Sequence, residues 1–416
     1  MKKMAPGKNN IGSYCMITSL CRGAWLFALA IALAWPATPA NAQKPPTDLT
    51  ELNIEEILSL RINRQDLKRW SAGYRFVYAK FDGYRDGTDN LKLPDVLGRP
   101  SAAAYQEGPF DPDLKAEIIP GYTANTYPVT PTLIIQQAHL FDISYHLNQK
   151  LSLGLLLPFI SQSSDHESIV PNFNKFNITS SGLGDISVSA SYLAWQRDKG
   201  HLVANLGFKL PTGSIDELGP TPRDPNNDTL LPYTMQIGSG TFDFEPSLAY
   251  GNNSGQWHYG ARTYATLRLG SNAHDYTLGN RFGLNTSLRT DRFSWVSPFV
   301  GLGFQSSGEI SGVDNDLKVP LRRIGSEGPV SDENGPVFET TTDAAGDTVP
   351  VMVFPAPVTN PALFGGEELA LSLGGKIALR EGMALQISYD IPIYQDLNGP
   401  QPKEVAHFDL GWTWTF

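Results

Sequence analysis

The chain has 416 residues, of which 18% are charged and 41% hydrophobic, with 39 Gly, 31 Pro and two Cys. Lys and Arg total 32 against 42 Asp and Glu, a formal charge of −10, which excludes the basic face a nucleic-acid partner requires. Past residue 42 no apolar run approaches the ~18 residues of a spanning helix, so the mature chain is not expected to cross a membrane by helices.

The first 42 residues read as an export signal. Lys2, Lys3, Lys8 and Arg22 make a positive n-region without acids, Ala24–Trp35 is an apolar h-region, and Ala40-Asn41-Ala42 is an A-x-A cleavage site. Cleavage after Ala42 removes Cys15 and Cys21, and with them any disulfide or thiolate metal site; it leaves 28 basic against 42 acidic residues. A thiol-free chain suits an oxidising periplasm. Residues 43–66 form a separate periplasmic segment. In it Asp48 and Glu51 resemble a capping pair ahead of ELNIEEILSL, a short amphipathic helix. Its alternatives are a small plug, or a helix at rest by the barrel mouth.

From residue 67 to 416 the period changes to two. In HLVANLGFKLP (201–211), Leu202, Ala204, Leu206, Phe208 and Leu210 share one face, and Val203, Asn205, Gly207 and Lys209 the other. About twelve strands follow from this pattern: 70–80, 133–146, 150–160, 184–196, 201–211, 236–250, 257–269, 277–290, 293–304, 368–380, 383–394 and 405–416. Ten-residue strands match a tilted bilayer crossing better than a soluble sandwich. Even-numbered gaps are tight (147–149, 197–200, 251–256, 291–292, 381–382), whereas odd-numbered gaps are mostly long (81–132, 161–183, 212–235, 305–367). That alternation is the sign of an outer-membrane barrel with short periplasmic turns and long outer loops. Trp70, Trp195, Trp257, Trp295, Trp412 and Trp414 all fall at the turn end, as an interfacial belt requires, although Trp195 breaks the parity of its strand. The expected fold is therefore all-β, a transmembrane antiparallel up-and-down barrel in the bacterial outer membrane, in contact with its lipids. VAHFDLGWTWTF, ending on Phe416, resembles the C-terminal signal read by the barrel-assembly machinery.

With one face toward lipid, the other lines the lumen. Its acids are Asp142, Asp185, Asp243, Glu245, Asp390 and Asp409; its bases are Arg75, Lys209, Arg262, Arg268, Arg281, Arg289, Lys376 and Arg380. Mixed signs argue against a strongly charge-selective pore; they fit internal ion pairs or a narrow wet pathway. A symmetric turn over 251–256 sets Glu245 opposite Arg262. The Gly/Pro/Val-rich loop 305–367 is expected either to fold inward as a constriction or to remain on the surface.

Four stretches carry a family resemblance: SGLGDISVSASY (181–192), GFKLPTGS (207–214), GSGTFDFEPSLAYG (238–251) and SPFVGLGF (297–304). Their order over roughly 130–304 resembles the outer-membrane family labelled for the MetA pathway of phenol degradation. The resemblance implies a single-chain barrel channel or transporter for aromatic or otherwise hydrophobic small molecules. Turn chemistry alone also explains the glycines of GLGD and the Pro211 and Gly213 of LPTG.

Two rival functions are a non-conducting structural or adhesive barrel and an outer-membrane lipase. The mature chain has seven histidines (His139, His146, His166, His201, His258, His274, His407), and a lipase on this scaffold would lean on His139. No G-x-S-x-G, H-E-x-x-H or Cys-x-x-Cys occurs, so no catalytic residue, metal or cofactor is expected. His166 and His274 are loop residues flanked by acids (SDHES, AHDY) that could bind a divalent ion, but exposed loop histidines are the preferred reading.

Overall fold

The protein is described from a computed structural model covering residues 69–98, 126–170, 172–320, 340–343 and 346–416. The export signal and the 48–63 helix lie outside the described residues. Twelve main strands follow: β1 Trp70–Gly87, β2 Val129–His146, β3 Leu151–Ser168, β4 Lys175–Leu183, β5 Ser187–Arg197, β6 Gly200–Lys209, β7 Phe242–Ser254, β8 Trp257–Leu269, β9 Arg281–Thr290, β10 Ser297–Ser307, β11 Gly366–Arg380 and β12 Met383–Thr415. Each pairs antiparallel with its sequence neighbour, and β1 pairs with both β2 and β12, so the sheet closes. Closure leaves no open edge in lipid, which is what makes a spanning sheet possible.

Eleven strands make the closed ring, and β4 lies outside it, on β3. The 33-residue β12 supplies two walls. Its residues 383–397 pair with β11 and 397–415 with β1, the chain reversing near Gly399, whose φ is +58°. Twelve staves therefore surround the lumen, as the period-two reading expects. β4 and β5 act as one stave with a break at 184–186: β4 covers 159–167 of β3, and β5 covers 151–156.

The side-chain distribution is inverted relative to a soluble domain. Leu206 is 51% exposed on β6 while Lys209 is 3% exposed. Large apolar residues such as Phe159, Phe208, Leu248, Leu288 and Leu373 are exposed on the outside, and Arg75, Arg262, Arg281, Asp243 and Asp409 are buried inside. An apolar exterior around a polar interior is the arrangement a bilayer imposes. The six tryptophans of the described residues sit exposed at the turn end. A β-bulge between Leu193 and Trp195 restores Trp195 to the outer face, which explains its broken parity.

Several strands run past their expected ends. β1, β2 and β3 have 18 residues each, and the expected long loop over 161–183 is largely the β3–β4 hairpin. At ~3.3 Å per residue and ~40° tilt, 18 residues rise roughly 45 Å, well above a ~25 Å apolar band. The raised rim holds the loops. The 291–292 turn is longer than expected, spanning 291–296, and β7 begins at Phe242 rather than at 236.

The expected pairing of Glu245 with Arg262 is incorrect. Gly255, with φ +66°, makes the turn at Gly255-Gln256, so GNNS stays in the strand and Ser254 faces Trp257. The register moves by four residues, and Arg262 lies opposite Ala249.

Candidate functional site

Two loops fold inward at the loop end. In 210–241, Leu231, Tyr233, Met235 and Ile237 are buried around a 3-10 turn at Tyr233–Met235. In 308–365, Val351, Val353, Phe354, Ala356 and Val358 are buried, with further 3-10 turns at Pro357–Thr359 and Pro361–Leu363. Prolines fix φ in these short turns and leave few donors to satisfy. The inward fold follows from wall residues that give it apolar partners. Val129 packs on Ala356 and Val358, Tyr84 packs with Val351, Val353 and Phe354, and Ile178 packs with Leu231 and Met235. Full burial of each such side chain is worth about 1.5–3 kcal/mol. Of the two expectations for loop 305–367, its described portion takes the inward one.

Where the two loops meet the wall of β1, β2 and β12 there is a small cavity of about 40 Å³. Its apolar lining comes from Phe81, Ile134 and Leu397 on the wall and from Pro357, Val358 and Phe364 on the loop. Its polar lining is Gln136, Thr234, Gln395, Gln401 and Glu404. A mostly apolar lining with a few placed polar groups is that of a small-molecule site.

The three ordered motifs converge on Asp185. One carboxylate oxygen accepts from the Gly213 N–H at 2.9 Å, and the other from the Ser239 N–H and hydroxyl, both at 2.8 Å. Thr212 spans the stave break: its hydroxyl donates to the Gly184 carbonyl and accepts from the Ile186 N–H, each at 2.9 Å. Gly213 and Gly238 lie so close that a Cβ on either would collide with the backbone of the other. GLGD, LPTG and GSGT thus form one knot that fixes the root of the 210–241 loop.

Six of the remaining lumen candidates fall into three pairs. Lys209 Nζ lies 3.1 Å from Glu245, Arg268 pairs with the fully buried Asp243, and Arg75 lies 4.0 Å from Asp409. Arg262 covers the Tyr264 ring at 4.8 Å, and Arg289 lies 3.5 Å from Asp291. Asp142 fills the space that Gly73 leaves on β1, and Arg281 is buried in the β9 wall. Asp390 belongs to a group with His407 and Asp409 whose ligand-type atoms lie within 4.8 Å of one another. Lys376 lies opposite Ser297 and Gln386, half-buried; Arg380 is exposed at the turn end against the Met383 sulfur. A file of charge descends from the cavity: Glu404 to His407 at 3.2 Å, His407 to Asp409 at 3.4 Å, then Arg75.

Among the histidines, His139 bonds the Tyr74 hydroxyl at 2.8 Å, and His146 meets its cross-strand neighbour Ser152 at 2.6 Å. His166 stacks on Phe176 with centroids 4.8 Å apart, away from His274. His274 ties three loops. Its Nε2 lies 2.7 Å from Asp216 and its Nδ1 2.9 Å from Asp314, with Asp316 beside them. The hydrogen bond to Asp216 holds the imidazole pKa above its usual value, and burial raises that of Asp314. With a raised folded pKa, the His274 clamp is complete below about pH 6.5 and fades as pH climbs through the raised value. Limited proteolysis of the 210–241 and 308–320 loops is therefore expected to be slower in the wild type than in His274→Ala at pH 6. The two should converge at about pH 9. A constant ratio across that range would refute the clamp.

Residues 134–318, rather less than half of the chain, match the family model described as "Putative MetA-pathway of phenol degradation". No curated protein matches the chain. Among solved structures, an outer membrane channel from Pseudomonas putida F1 is similar at 13% identity, covering 89% of this chain and 99% of that one, with a TM-score of 0.47. A Pseudomonas aeruginosa FadL homologue is similar at 10% identity, 84% and 90% coverage and a TM-score of 0.35. The TodX monoaromatic hydrocarbon channel is similar at 8% identity, 84% and 90% coverage and a TM-score of 0.36. Residues 134–318 therefore carry the sequence pattern of that phenol-degradation family, and the resemblance read from the GLGD, LPTG and GSGT motifs holds.

Proposed function

We propose that this chain is an outer-membrane channel for passive uptake of small hydrophobic or aromatic compounds, exported by a signal cleaved after Ala42. The reading rests on one observation above all: an apolar cavity stands at the head of a lumen otherwise lined with charge. A solute entering from the loop end reaches the cavity between the two inward loops, then the polar wall below. The paired lumen candidates, Lys209 with Glu245, Arg268 with Asp243 and Arg75 with Asp409, line that wall and keep it wet without favouring either sign. The family description, with its phenol-degradation pathway, supports an aromatic cargo. Residues 43–66 lie on the periplasmic side, and the strand ending at Phe416 is the handle for the assembly machinery. The reading is a channel rather than an enzyme, since the sequence carries no G-x-S-x-G or H-E-x-x-H motif.

Liposome swelling tests it. Vesicles carrying the protein are expected to swell faster in benzyl alcohol or phenol than empty vesicles do, and to swell little in sucrose. Planar bilayers should show discrete conductance events. Equal swelling with and without protein, and silent bilayers at high protein load, would favour a sealed structural barrel instead.

A further inference from the structure

The amide orientations around the cavity are fixed by groups that can only accept. Gln162 Nε2 donates to the Gln236 backbone carbonyl at 3.2 Å, so its Oε1 must face Gln136, whose Nε2 lies 2.6 Å away. Gln136 then turns its own Oε1 aside, and that oxygen is buried without a partner in a residue only 3% exposed. Gln395 Nε2 donates to the Glu368 carboxylate at 2.8 Å and the Glu404 carbonyl at 3.2 Å. Gln401 Nε2 donates to the carbonyls of Gly365 at 3.1 Å and Asn398 at 3.2 Å. A flip of Gln395 or Gln401 would set oxygen against oxygen, and a flip of Gln136 would do the same at Gln162. All three glutamines line the cavity, and Gln395 and Gln401, with both amide hydrogens spent, have a carbonyl oxygen left to offer. Glu404 adds a carboxylate. The lining donors are the Thr234 hydroxyl, which accepts equally well, and the second Nε2 hydrogen of Gln136.

We propose that this cavity selects molecules with an apolar body and a hydrogen-bond-donating head, a hydroxyl or an amine, and turns away carboxylates. The inference rests on the channel reading above and adds to it the head-group chemistry and the residues that read it: Gln395, Gln401 and Glu404. A donor pairs with the Gln395 or Gln401 oxygen that an apolar solute leaves unpaired. A carboxylate brings a second acceptor and a like charge toward Glu404.

The test is calorimetric titration of the full barrel in detergent with four ligands sharing one ring: benzyl alcohol, benzylamine, benzyl methyl ether and benzoate. The alcohol and amine are expected to bind roughly threefold to tenfold more tightly than the ether, as one added hydrogen bond allows, and benzoate not to register. In Gln395→Met and, independently, Gln401→Met, the preference for alcohol over ether should shrink toward one while ether binding persists, with heat-modifiable gel mobility reporting the folded barrel. Ether binding equal to alcohol, or benzoate binding equal to either, would overturn the proposal. Failure of all four to bind a protein that still swells liposomes with aromatic solutes would overturn this inference alone. Failure of both assays would remove the channel reading with it.

Discussion

Replacing residues 351–363 with a short Gly-Ser link is expected to raise single-channel conductance severalfold and to admit sugars that the intact protein excludes. Twelve staves spaced ~4.8 Å apart and tilted ~40° enclose a cylinder about 24 Å across between backbones, and inward side chains leave roughly half of that. An opening of that width passes hydrated solutes readily. In the intact chain the narrow place is made by loop rather than wall: Phe354, Ala356 and Val358 are buried beside β1 and β2, and Pro357 and Phe364 face the cavity. The deletion removes the apolar surface and leaves the twelve staves, whose pairing does not involve these residues. Bilayer recordings, with swelling in glucose and sucrose as the second measure, decide the matter. Unchanged conductance and continued sugar exclusion would mean that the constriction lies elsewhere, in the 210–241 loop or in the charged file below the cavity.

The walls were readable in the sequence because lipid and lumen impose opposite chemistry on alternate residues, and that period survives strand by strand. The same parity puts Gln136 on the lumen face with Asp142, so one member of the cavity was within reach of a period-two reading. Gln395, Gln401 and Glu404 were not. They fall in what reads as a loop, 395–404, because prolines and glycine at 399–402 mask a strand pair that continues nearly to its tip. The four-residue error at Glu245 has the same origin: GNNSGQ looks like a turn throughout, and only Gly255 with its positive φ decides which two residues turn. The inward loops depend on contacts between segments as distant as Tyr84 and Phe354. No local pattern encodes such contacts, although the density of proline and valine in 349–361 indicated a segment ill suited to open water. Asp185 shows the intermediate case. Its inward direction was legible, but its partners lie 28 and 54 residues away, and three weak motifs became one strong feature only once brought together.

Truncating that residue should have the largest effect on stability of any single lumen substitution. Asp185→Ala is expected to lower unfolding stability by about 3–5 kcal/mol, because it removes a charged acceptor from three donors in a water-poor site. The Ser239 hydroxyl can turn toward Asp243, which already lies 3.3 Å away, but the N–H groups of Gly213 and Ser239 have no such choice. Asp185→Asn preserves the shape and one acceptor while directing an amide N–H at a donor, so roughly half the loss is expected, about 2 kcal/mol. Urea unfolding in detergent, followed by tryptophan emission, measures both. The prediction also extends to function. Gly213 and Ser239 stand at the two ends of the loop that carries Tyr233, Thr234 and Met235 into the lumen, so loss of their common anchor loosens one side of the cavity while the staves remain paired. A barrel that unfolds at lower urea and also conducts with more flicker fits a knot that serves the loop. Wild-type stability in the alanine variant would show that the two backbone donors find other partners and that the motifs are tied together by their glycines alone.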